Sequence, residues 1–503
     1  MTTPLHGSLH PWQPSELDAI HQASLKLLAV TGVHVASDEV LEILETTDAK
    51  VDRSSKTVRF PADMVQDRLR HAPGCWDREP ATIGQFSVTA DCGSATIWDY
   101  KLSRARPTEP RDMVDLPRLV QSLPHIDGAG SLVASNDIPG RLRDIIIIRN
   151  RMIHCRKGGG GGLGRFPSLG NGVTIEEFDD LYNLIAAAEG KRVLEPTHDL
   201  SFFMGVSSPL RWDAFVLATA KHVLEKGQVV GIGGNCICGV QSPITPASNI
   251  MIDHAERLSG LCIVTAIKPD ARFYFCNHTY CLDMQSGDVA NGSPEQTLLA
   301  LLGKHLLEHL GFNLAVAHPI MDTGAHVPDA QAGAEKAMYV LLTALGGARA
   351  IGGAGQLKEA ACYEQMVIDN EIAGYVKHLL KGAEVNDKTI ALDAVCEIGI
   401  GGNFLIAEPT LEFLRQCYYP PQVFYRKRMS EWMREGANTV IDAAHEKVET
   451  ILSSPTPVFL DNDRIDAMDE VVERARRRCA ADWDASAFLP KPAEPGTQAY
   501  APE

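Results

Sequence analysis

The sequence of 503 residues lacks the features that would place a protein in a membrane, outside the cell or on nucleic acid. No window holds the ~18–20 consecutive apolar residues of a membrane-spanning helix. Residues 1–14 have neither the basic nor the apolar segment of a secretory signal. Acidic residues outnumber basic ones, 64 to 47, and the net charge of −17 offers no basic face for phosphate contacts. We therefore expect a soluble cytoplasmic protein that binds neither membranes nor nucleic acid.

The 12 cysteines lack the spacing of a disulfide scaffold or a zinc finger. Cys236 and Cys238 form one C-x-C pair, and Cys276 and Cys281 follow without forming a second. A metal site and a set of small buried side chains both fit this pattern, and the second is the commoner use of cysteine. We expect reduced thiols and no metal.

A run of five glycines, Gly158–Gly162, follows Arg156 and Lys157. Glycine backbone can hold phosphate, but no G-K-[ST] follows, and the spacing is not G-x-G-x-x-G at a strand-to-helix turn. A mobile loop over a binding site is the better interpretation, because glycine tolerates the backbone angles that such loops need.

The order of predicted elements divides the chain into four parts. Residues 1–110 form a small α+β lobe that opens with an amphipathic helix at Glu16–Val30. Residues 111–420 form the main domain. Residues 421–485 form a helical extension with one long helix at Met429–Leu452, and residues 486–503 are predicted to be a disordered tail.

In the main domain, short apolar runs alternate with helical patterns eight times. Strands that are apolar on both faces predict a parallel sheet covered by helices, either a TIM (β/α)₈ barrel or an open doubly wound sheet. We favour the barrel, between Asp127 and Glu408. The predicted strands are Gly128–Ala134, Ile153–Arg156, Leu200–Met204, Val229–Gly233, Arg272–Cys276, Asn313–Ala317, Arg349–Gly352 and Ala394–Ile398. The predicted helices are Arg141–Arg151, Ile175–Ala188, Trp212–Glu225, Ala247–Ala266, Pro294–Leu310, Ala330–Leu345 and Ala360–Leu380.

Polar side chains follow many of these strands, which in a barrel is the catalytic rim. A rim of Asn, Asp, His and Gln with few Lys suits a neutral or cationic ligand. Each such residue alone is also a common turn or capping residue. Asp329 is as good an N-cap as a ligand. Glu256, within a predicted helix, is open to interpretation as a structural ion-pair partner of Arg257 or of another basic group.

Aromatic residues lie near the same strand ends. Phe273 and Phe275 share one face of a predicted strand, Tyr274 is on the other, and Phe202 and Phe203 come earlier. Aromatic faces recognise quaternary ammonium groups. Core packing is the commoner role of such residues, and both interpretations stay open.

A series of short motifs in order resembles the trimethylamine methyltransferase family over nearly the whole chain. Any one motif is weak, and their order is specific. They are Gly32-Val33, Ala72-Pro73, Ser208-Pro209-Leu210, Ser242–Ala247, Ala255–Gly260, Asp283-Met284, Gly292–Glu295, Asp322, Pro328–Gly333 with Glu335-Lys336, Glu364–Asp369 with Glu371-Ile372, Gly401–Leu405, Trp432 and Gly436.

The resemblance implies a TIM barrel and transfer of a methyl group from a methylated amine to the cobalt of a corrinoid carried by a partner protein. The trimethylamine branch of the family carries pyrrolysine, and all 503 residues here are standard. The chain therefore resembles the branch without pyrrolysine, whose members act on quaternary amines such as glycine betaine and proline betaine.

Two positions depart from the family pattern. Asn403 stands where the family has His in its GGhFL motif, and Pro409 precedes Thr410 where the family has His-Thr. If those histidines contact substrate, the substrate here differs from the better-known betaines, and a sulfonium or a ring-bearing betaine stays possible.

Together, the rim and the resemblance assign two sets of site residues. The predicted catalytic residues are His318, Asp322 and Gln356. The predicted substrate-binding residues are Asn235, Phe275, Asn277, His278 and Asn403. We also expect a homo-oligomer and a corrinoid protein that docks on the rim, because a corrinoid is too large to be enclosed together with the amine.

Two other functions stay open at this point. The first is a metal-assisted lyase or hydrolase that uses His278, His318, Asp283 and Asp322, and metal analysis separates it from a methyltransferase. The second is a non-catalytic betaine-binding barrel, which would bind ligand without demethylating it when reduced corrinoid is supplied.

Overall fold

The computed structural model describes residue 9 and residues 12–71, 85–158, 174–196, 200–312 and 320–490. The N-terminal part begins with the predicted amphipathic helix, α1 (Pro14–Val30). It continues with β1 (Val33–Val35), α2 (Asp38–Glu45), β2 (Lys50–Asp52), β3 (Thr57–Arg59), α3 (Ala62–His71), β4 (Ser87–Ala90), β5 (Thr96–Asp99) and β6 (Arg104–Pro107).

The main domain alternates helices and strands, as predicted. In order these are α4 (Asp112–Ser122), β7 (Gly128–Ala129), α5 (Arg143–His154), α6 (Ile175–Glu189), β8 (Phe202–Val206), β9 (Arg211–Trp212), α7 (Ala214–Glu225), β10 (Val230–Gly234), β11 (Ile237–Cys238), α8 (Pro246–Ile267), β12 (Phe273–Phe275), β13 (Tyr280–Cys281), α9 (Pro294–His309), α10 (Ala330–Leu345), β14 (Ala350–Ala354), β15 (Gln356–Leu357), β16 (Ala360–Cys362) and α11 (Tyr363–Leu380).

Two three-stranded parallel sheets form the centre of the main domain. Their strand orders are β12-β10-β8 and β14-β4-β7, and Ile320 forms a parallel bridge with Gly352 beside β14. β4 comes from the part of the chain that the sequence analysis assigned to the N-terminal lobe. It pairs with β14 on one side and with β7 on the other, so the parallel sheet begins about 40 residues before the predicted start at Asp127.

Three predicted strands differ in the structure. Ala394–Ile398 was wrong, because these residues lie in the helix α13 (Leu392–Ile398). Ile153–Arg156 was also wrong, since α5 extends to His154. Gly128–Ala134 shortens to two residues. Short apolar runs do not distinguish strand from buried helix, which explains the first two differences. Asn313–Ala317 lies outside the described residues.

The C-terminal part is helical, with shorter helices than predicted. After α13 come α14 (Glu408–Cys417), α15 (Met429–Arg434), α16 (Val440–Ser453) and α17 (Asn462–Cys479), and α12 (Asp387–Ile390) precedes them. The single helix predicted at Met429–Leu452 was wrong. Gly436 and Ala437 both have positive φ and separate α15 from α16.

The beginning of the predicted disordered tail is ordered. Ser486–Phe488 forms a 3₁₀ turn, and the Phe488 side chain is buried. Asn150 on α5 donates a hydrogen bond to the Phe488 carbonyl oxygen at 3.1 Å. Residues 491–503 lie outside the described part of the chain. Among the helices of the described residues, none is both long and apolar enough to cross a membrane.

Candidate functional site

The alternation of side chains on β8, β10 and β12 divides these strands into two faces. A Cβ at Gly260 of α8 would lie 2.4 Å from Cγ2 of Ile232, so Ile232 points toward the helices. A Cβ at Gly231 would lie 2.6 Å from the Tyr274 ring, so Gly231 and Tyr274 share the opposite face. We call this opposite face the inner face; its residues on the three strands are Phe203, Gly205, Gly231, Gly233 and Tyr274.

Glycines on the inner face make room for two aromatic rings. A Cβ at Gly205 would lie 2.9 Å from the Phe203 ring, and the Tyr274 ring lies over Gly231. The Tyr274 hydroxyl is 2.9 Å from the Ser201 hydroxyl. Any larger residue at these glycines would displace the rings, because a real Cβ does not approach that closely.

His278 and Asn235 continue the inner face beyond the strands. The His278 ring lies edge-on to the Phe203 ring with their centroids 6.0 Å apart. Asn235 lies two residues beyond Gly233, in register with His278, and it is exposed. These two predicted substrate-binding residues therefore come together with an aromatic ring at the carboxyl ends of β10 and β12.

Phe275 and Asn277 face the helices instead. Phe275 is fully buried and packs edge-on against Phe312 at 5.3 Å. The Asn277 side chain accepts a hydrogen bond from Arg257 of α8 at 2.9 Å and donates one to the Ala300 carbonyl of α9 at 2.7 Å. The structure therefore does not bring these two predicted substrate-binding residues together with His278, because strand alternation gives them the opposite face.

The predicted catalytic residues have different environments. Asp322 is buried, and its Oδ2 accepts a hydrogen bond from Nε2 of Gln296 at 3.0 Å. Gln356 is half-buried at the start of β15, directly beyond β14. His318 lies outside the described residues. Asp322 and Gln356 both follow parallel strands or bridges, as a rim position requires.

The structure does not bring Asn403 to this site. Asn403 is exposed and caps a local turn by accepting a hydrogen bond from the Leu405 amide at 2.8 Å. Its segment follows the C-terminal end of α11, where Lys377 donates to Oδ2 of Asp127 at 2.6 Å. Asp127 also accepts from the Val88 amide at the amino end of β4. The end of α11 that precedes Asn403 therefore lies near the amino ends of the strands, whereas Asn235 lies at their carboxyl ends.

Asp91, which the sequence analysis missed, lies on the face of the β14-β4-β7 sheet that points away from α11, and we extend the name inner face to this face. It directly follows β4 and is buried. A Cβ at Gly130 would lie 3.2 Å from the Asp91 carboxyl group. The next residue, Cys92, points the other way, because its Sγ lies near Gly355 beside Met366 of α11. The sequence signal for Asp91 was a short strand followed by Asp. It was overlooked because residues 1–110 were assigned to a separate lobe.

Glu256 supports the end of β10 from the helix side. Its carboxylate accepts hydrogen bonds from the Ser208 hydroxyl and the Leu210 amide, each at 2.8 Å. Burial raises the pKa of Glu256 to about 7. Its neighbour Arg257 contacts Asp253.

Two of the family-like motifs meet behind the end of β14. Lys336 donates to Oδ2 of Asp369 at 2.7 Å and to the Gly353 carbonyl at 3.2 Å. The same Asp369 oxygen accepts from the Gly355 amide at 2.7 Å. Both charged side chains are completely buried. This pair fixes the backbone immediately before Gln356 and takes no part in the inner face itself.

The remaining candidates have structural roles. Asp329 is the N-cap of α10 and accepts from the Gln331 amide at 2.9 Å. Burial raises the pKa of Cys236 to about 12 and that of Cys238 to about 11, which keeps both thiols neutral. Asp283 accepts from the Gln285 amide in a local turn. Within the described ranges, no group of three or more His, Cys, Asp or Glu residues is arranged to hold a metal ion.

Comparisons with known proteins agree with the order of motifs. The sequence profile described as trimethylamine methyltransferase (MTTB) matches residues 3–480. A trimethylamine methyltransferase of Methanosarcina barkeri is 28% identical over 493 residues, covering 93% of this chain and 95% of the relative. A glycine betaine methyltransferase of Desulfitobacterium hafniense is 25% identical over 465 residues, covering 90% and 94%.

The crystal structure of the Methanosarcina barkeri monomethylamine methyltransferase is also similar, with a TM-score of 0.48 and 10% identity over 94% of this chain and 89% of that one. The family profile spans nearly the full chain, and none of the chain's 503 residues is pyrrolysine. The chain therefore belongs to the trimethylamine methyltransferase family, in the branch without pyrrolysine, and is a methyltransferase.

Proposed function

We propose that this enzyme moves a methyl group from a small, betaine-like quaternary amine to the cobalt of a corrinoid carried by a partner protein. The observation that carries the proposal is the inner face, where the Phe203 ring lies beside Gly205 and edge-on to the His278 ring. The glycine betaine methyltransferase relative supports the same substrate class.

We also propose that the parallel strands close into a (β/α)₈ barrel. β14 pairs with β4, β4 pairs with β7, and the Ala129 amide donates to the Gly158 carbonyl at 3.2 Å. β8, β10 and β12 form a second continuous set, and Ile320 bridges to Gly352. Among the described residues, no strand pairing joins residue 158 to β8 or β12 to Ile320. The barrel would place both sheets' inner faces around one interior.

The chemistry of the inner face suits a cationic group that must lose its charge. Demethylation of a quaternary nitrogen gives a neutral amine, so positive charge on nitrogen decreases in the transition state. A close carboxylate contact would stabilise the cationic ground state more than the transition state, and would therefore slow methyl transfer. An aromatic ring such as Phe203 attracts the cation more weakly and without a counter-charge. Asn235 and His278, at the open end, are suited to a distal carboxylate of the substrate.

The corrinoid of the partner protein supplies the nucleophile that accepts the methyl group. The chain itself supplies position: it holds the N–CH₃ bond in line with the rim opening, and good alignment contributes several kcal/mol, up to ~7–11 in ideal cases. No protonation of the substrate is needed, because the departing tertiary amine is neutral. We expect the acceptor to approach from the side of Asn235, which is exposed at the carboxyl end of β10.

The test is product analysis with cob(I)alamin as acceptor. The purified protein is incubated with glycine betaine, proline betaine, a carnitine-like amine, a sulfonium and trimethylamine, and methylcobalamin is followed by absorbance. We expect product from at least one quaternary amine and none from trimethylamine, whose unprotonated form would have to expel a dialkylamide anion. Equal rates with trimethylamine would contradict the leaving-group argument. No product from any quaternary compound would contradict the proposed substrate class.

A further inference from the structure

The C-terminal part contains a segment with no core of its own. None of the residues in α12, α13 and α14 is buried. We call residues 383–418 the apolar segment. Its large exposed apolar side chains are Val385, Ile390, Leu392, Val395, Ile400, Phe404, Leu405, Ile406, Leu411, Leu414 and Tyr418. A folded segment that buries nothing within its own chain requires another source of stabilisation.

The size of this surface indicates an interface. Ile406 is 81% exposed and Leu392 is 62% exposed. At roughly 100 Å² for a fully exposed apolar side chain and a mean exposure of about two-thirds, these eleven residues expose about 700 Å². The largest apolar patch of a monomeric protein is typically ~300–600 Å². A stable interface takes ~800 Å² from each partner. The segment alone therefore exposes more apolar surface than a monomer usually does, and close to the area that a lasting contact needs.

A groove on the same chain offers a matching receptor. It has a volume of about 770 Å³ and lies between α10 and α11, close to the start of α16. Its apolar lining includes Ala337, Leu341, Ile372, Val376 and Phe424. His378 lines this groove and also a cavity of about 580 Å³ beneath the apolar segment. The groove and the segment are thus neighbouring parts of one continuous surface.

We propose that a second copy of this chain covers this surface, with the apolar segment of each copy packed into the groove of the other. In a two-fold symmetric pair, a projecting patch and a groove on one chain contact each other reciprocally. A partner that accepts methyl groups must bind and leave in every cycle, and such transient contacts are small and polar. A permanently exposed apolar surface of this size fits an obligate contact between identical copies.

The first test measures mass by light scattering after gel filtration at micromolar concentration. The wild-type chain is expected to have at least twice the 54.7 kDa mass of one copy. The segment variant, Leu392→Asp with Ile406→Asp, is expected to shift to one copy. The control is Val30→Asp, which places a charge on a 65% exposed apolar residue of α1. This control is expected to keep the wild-type mass.

The second test introduces a charge in the groove. A Cβ at Gly333 meets no atom within 4 Å, so Gly333→Glu fills the groove without a clash inside the chain. This groove variant is also expected to be a single copy. A mixture of the groove variant and the segment variant contains one intact segment and one intact groove, and we expect it to recover pairs. Far-ultraviolet circular dichroism checks that each variant is folded.

Three outcomes would overturn the proposal. A wild-type chain of single-copy mass excludes the pair. Variants that keep the wild-type mass place the contact elsewhere. A single-copy wild-type chain whose segment variant loses activity only with a corrinoid protein, and not with free cobalamin, assigns the surface to that partner instead. These outcomes do not depend on which amine is the substrate.

Discussion

Replacing Phe203 by Leu tests whether the inner face recognises a positive charge. Leucine keeps an apolar side chain on β8 but removes the ring that meets His278 at 6.0 Å. Interaction of a cation with an aromatic ring contributes about 0.5–2 kcal/mol, and more where water is excluded. Phe203 is half-buried between strands, so we expect the upper part of this range. A contribution of 1–2 kcal/mol corresponds to about a 5- to 30-fold loss.

The assay compares two ligands of equal shape. One is the quaternary amine that the panel identifies as substrate, and the other is its isostere with carbon in place of nitrogen, used as a competitive inhibitor. The wild-type enzyme is expected to bind the cation more tightly than the isostere, and Phe203→Leu is expected to lose most of that preference. Phe215→Leu, at an exposed position of α7, is the matched control. If Phe203→Leu weakens both ligands equally, the ring contributes shape and no charge recognition, which refutes the reasoning.

Three further predictions follow from the buried charges and the reaction. Lys336→Met should lower the free energy of unfolding by ~3–5 kcal/mol, because it leaves the buried Asp369 without a counter-charge. Adding Asp369→Leu should restore part of the loss in urea denaturation, because it removes the buried charge but also the acceptor of the Gly355 amide. The raised pKa of Glu256, about 7 against an ordinary 4.5, gives stability that is complete below pH 4.5 and is lost as the pH rises toward 7. Unfolding measured across that range should therefore show a pH dependence that Glu256→Gln reduces; the pKa of Asp144, which burial also raises to about 7, contributes in the same range. Trimethylamine should give no methylcobalamin while a quaternary amine does; comparable rates would contradict this.

The helices of the main domain were predictable because their ends carry local signals. Ser293 caps α9 by accepting from the Gln296 amide at 3.3 Å, and Pro294 follows at the first helical position. Asp329 caps α10 in the same way. Such signals act within four residues, so they survive without knowledge of the fold. The Gln296 side chain is different: its Oε1 accepts from the Gly292 amide, and its Nε2 reaches Asp322. That long-range contact could not be predicted from the sequence.

Strand β4 was not predictable as part of the main sheet for a related reason. The run Ser87–Ala90 is four residues long, and its partners β7 and β14 lie about 40 and 260 residues away. Nothing local distinguishes it from the short strands β5 and β6, which form a separate sheet with β15 and β16. Asp91 was missed together with it. A strand end becomes a rim position only when its neighbours are known.

Within the predicted site, the face of each strand decides which side chains lie together. His278 and Asn277 are adjacent in sequence and equally polar, yet one meets Phe203 and the other is held by Arg257 and Ala300. Strand alternation places adjacent side chains on opposite faces of the sheet, but it does not determine which face is the inner one. The glycines decide it: Gly231 on β10 and Gly205 on β8 leave the space that the Tyr274 and Phe203 rings occupy.

The two proposed interactions of this chain use different parts of its surface. The methyl acceptor must reach the carboxyl ends of the strands, where Asn235 is exposed. The apolar segment follows the C-terminal end of α11, which Lys377 ties to the amino ends of the strands through Asp127. Pairing of two copies through this segment therefore leaves the opening free. A single-copy variant should consequently keep its rate with free cobalamin, and a pair should offer two openings that work independently.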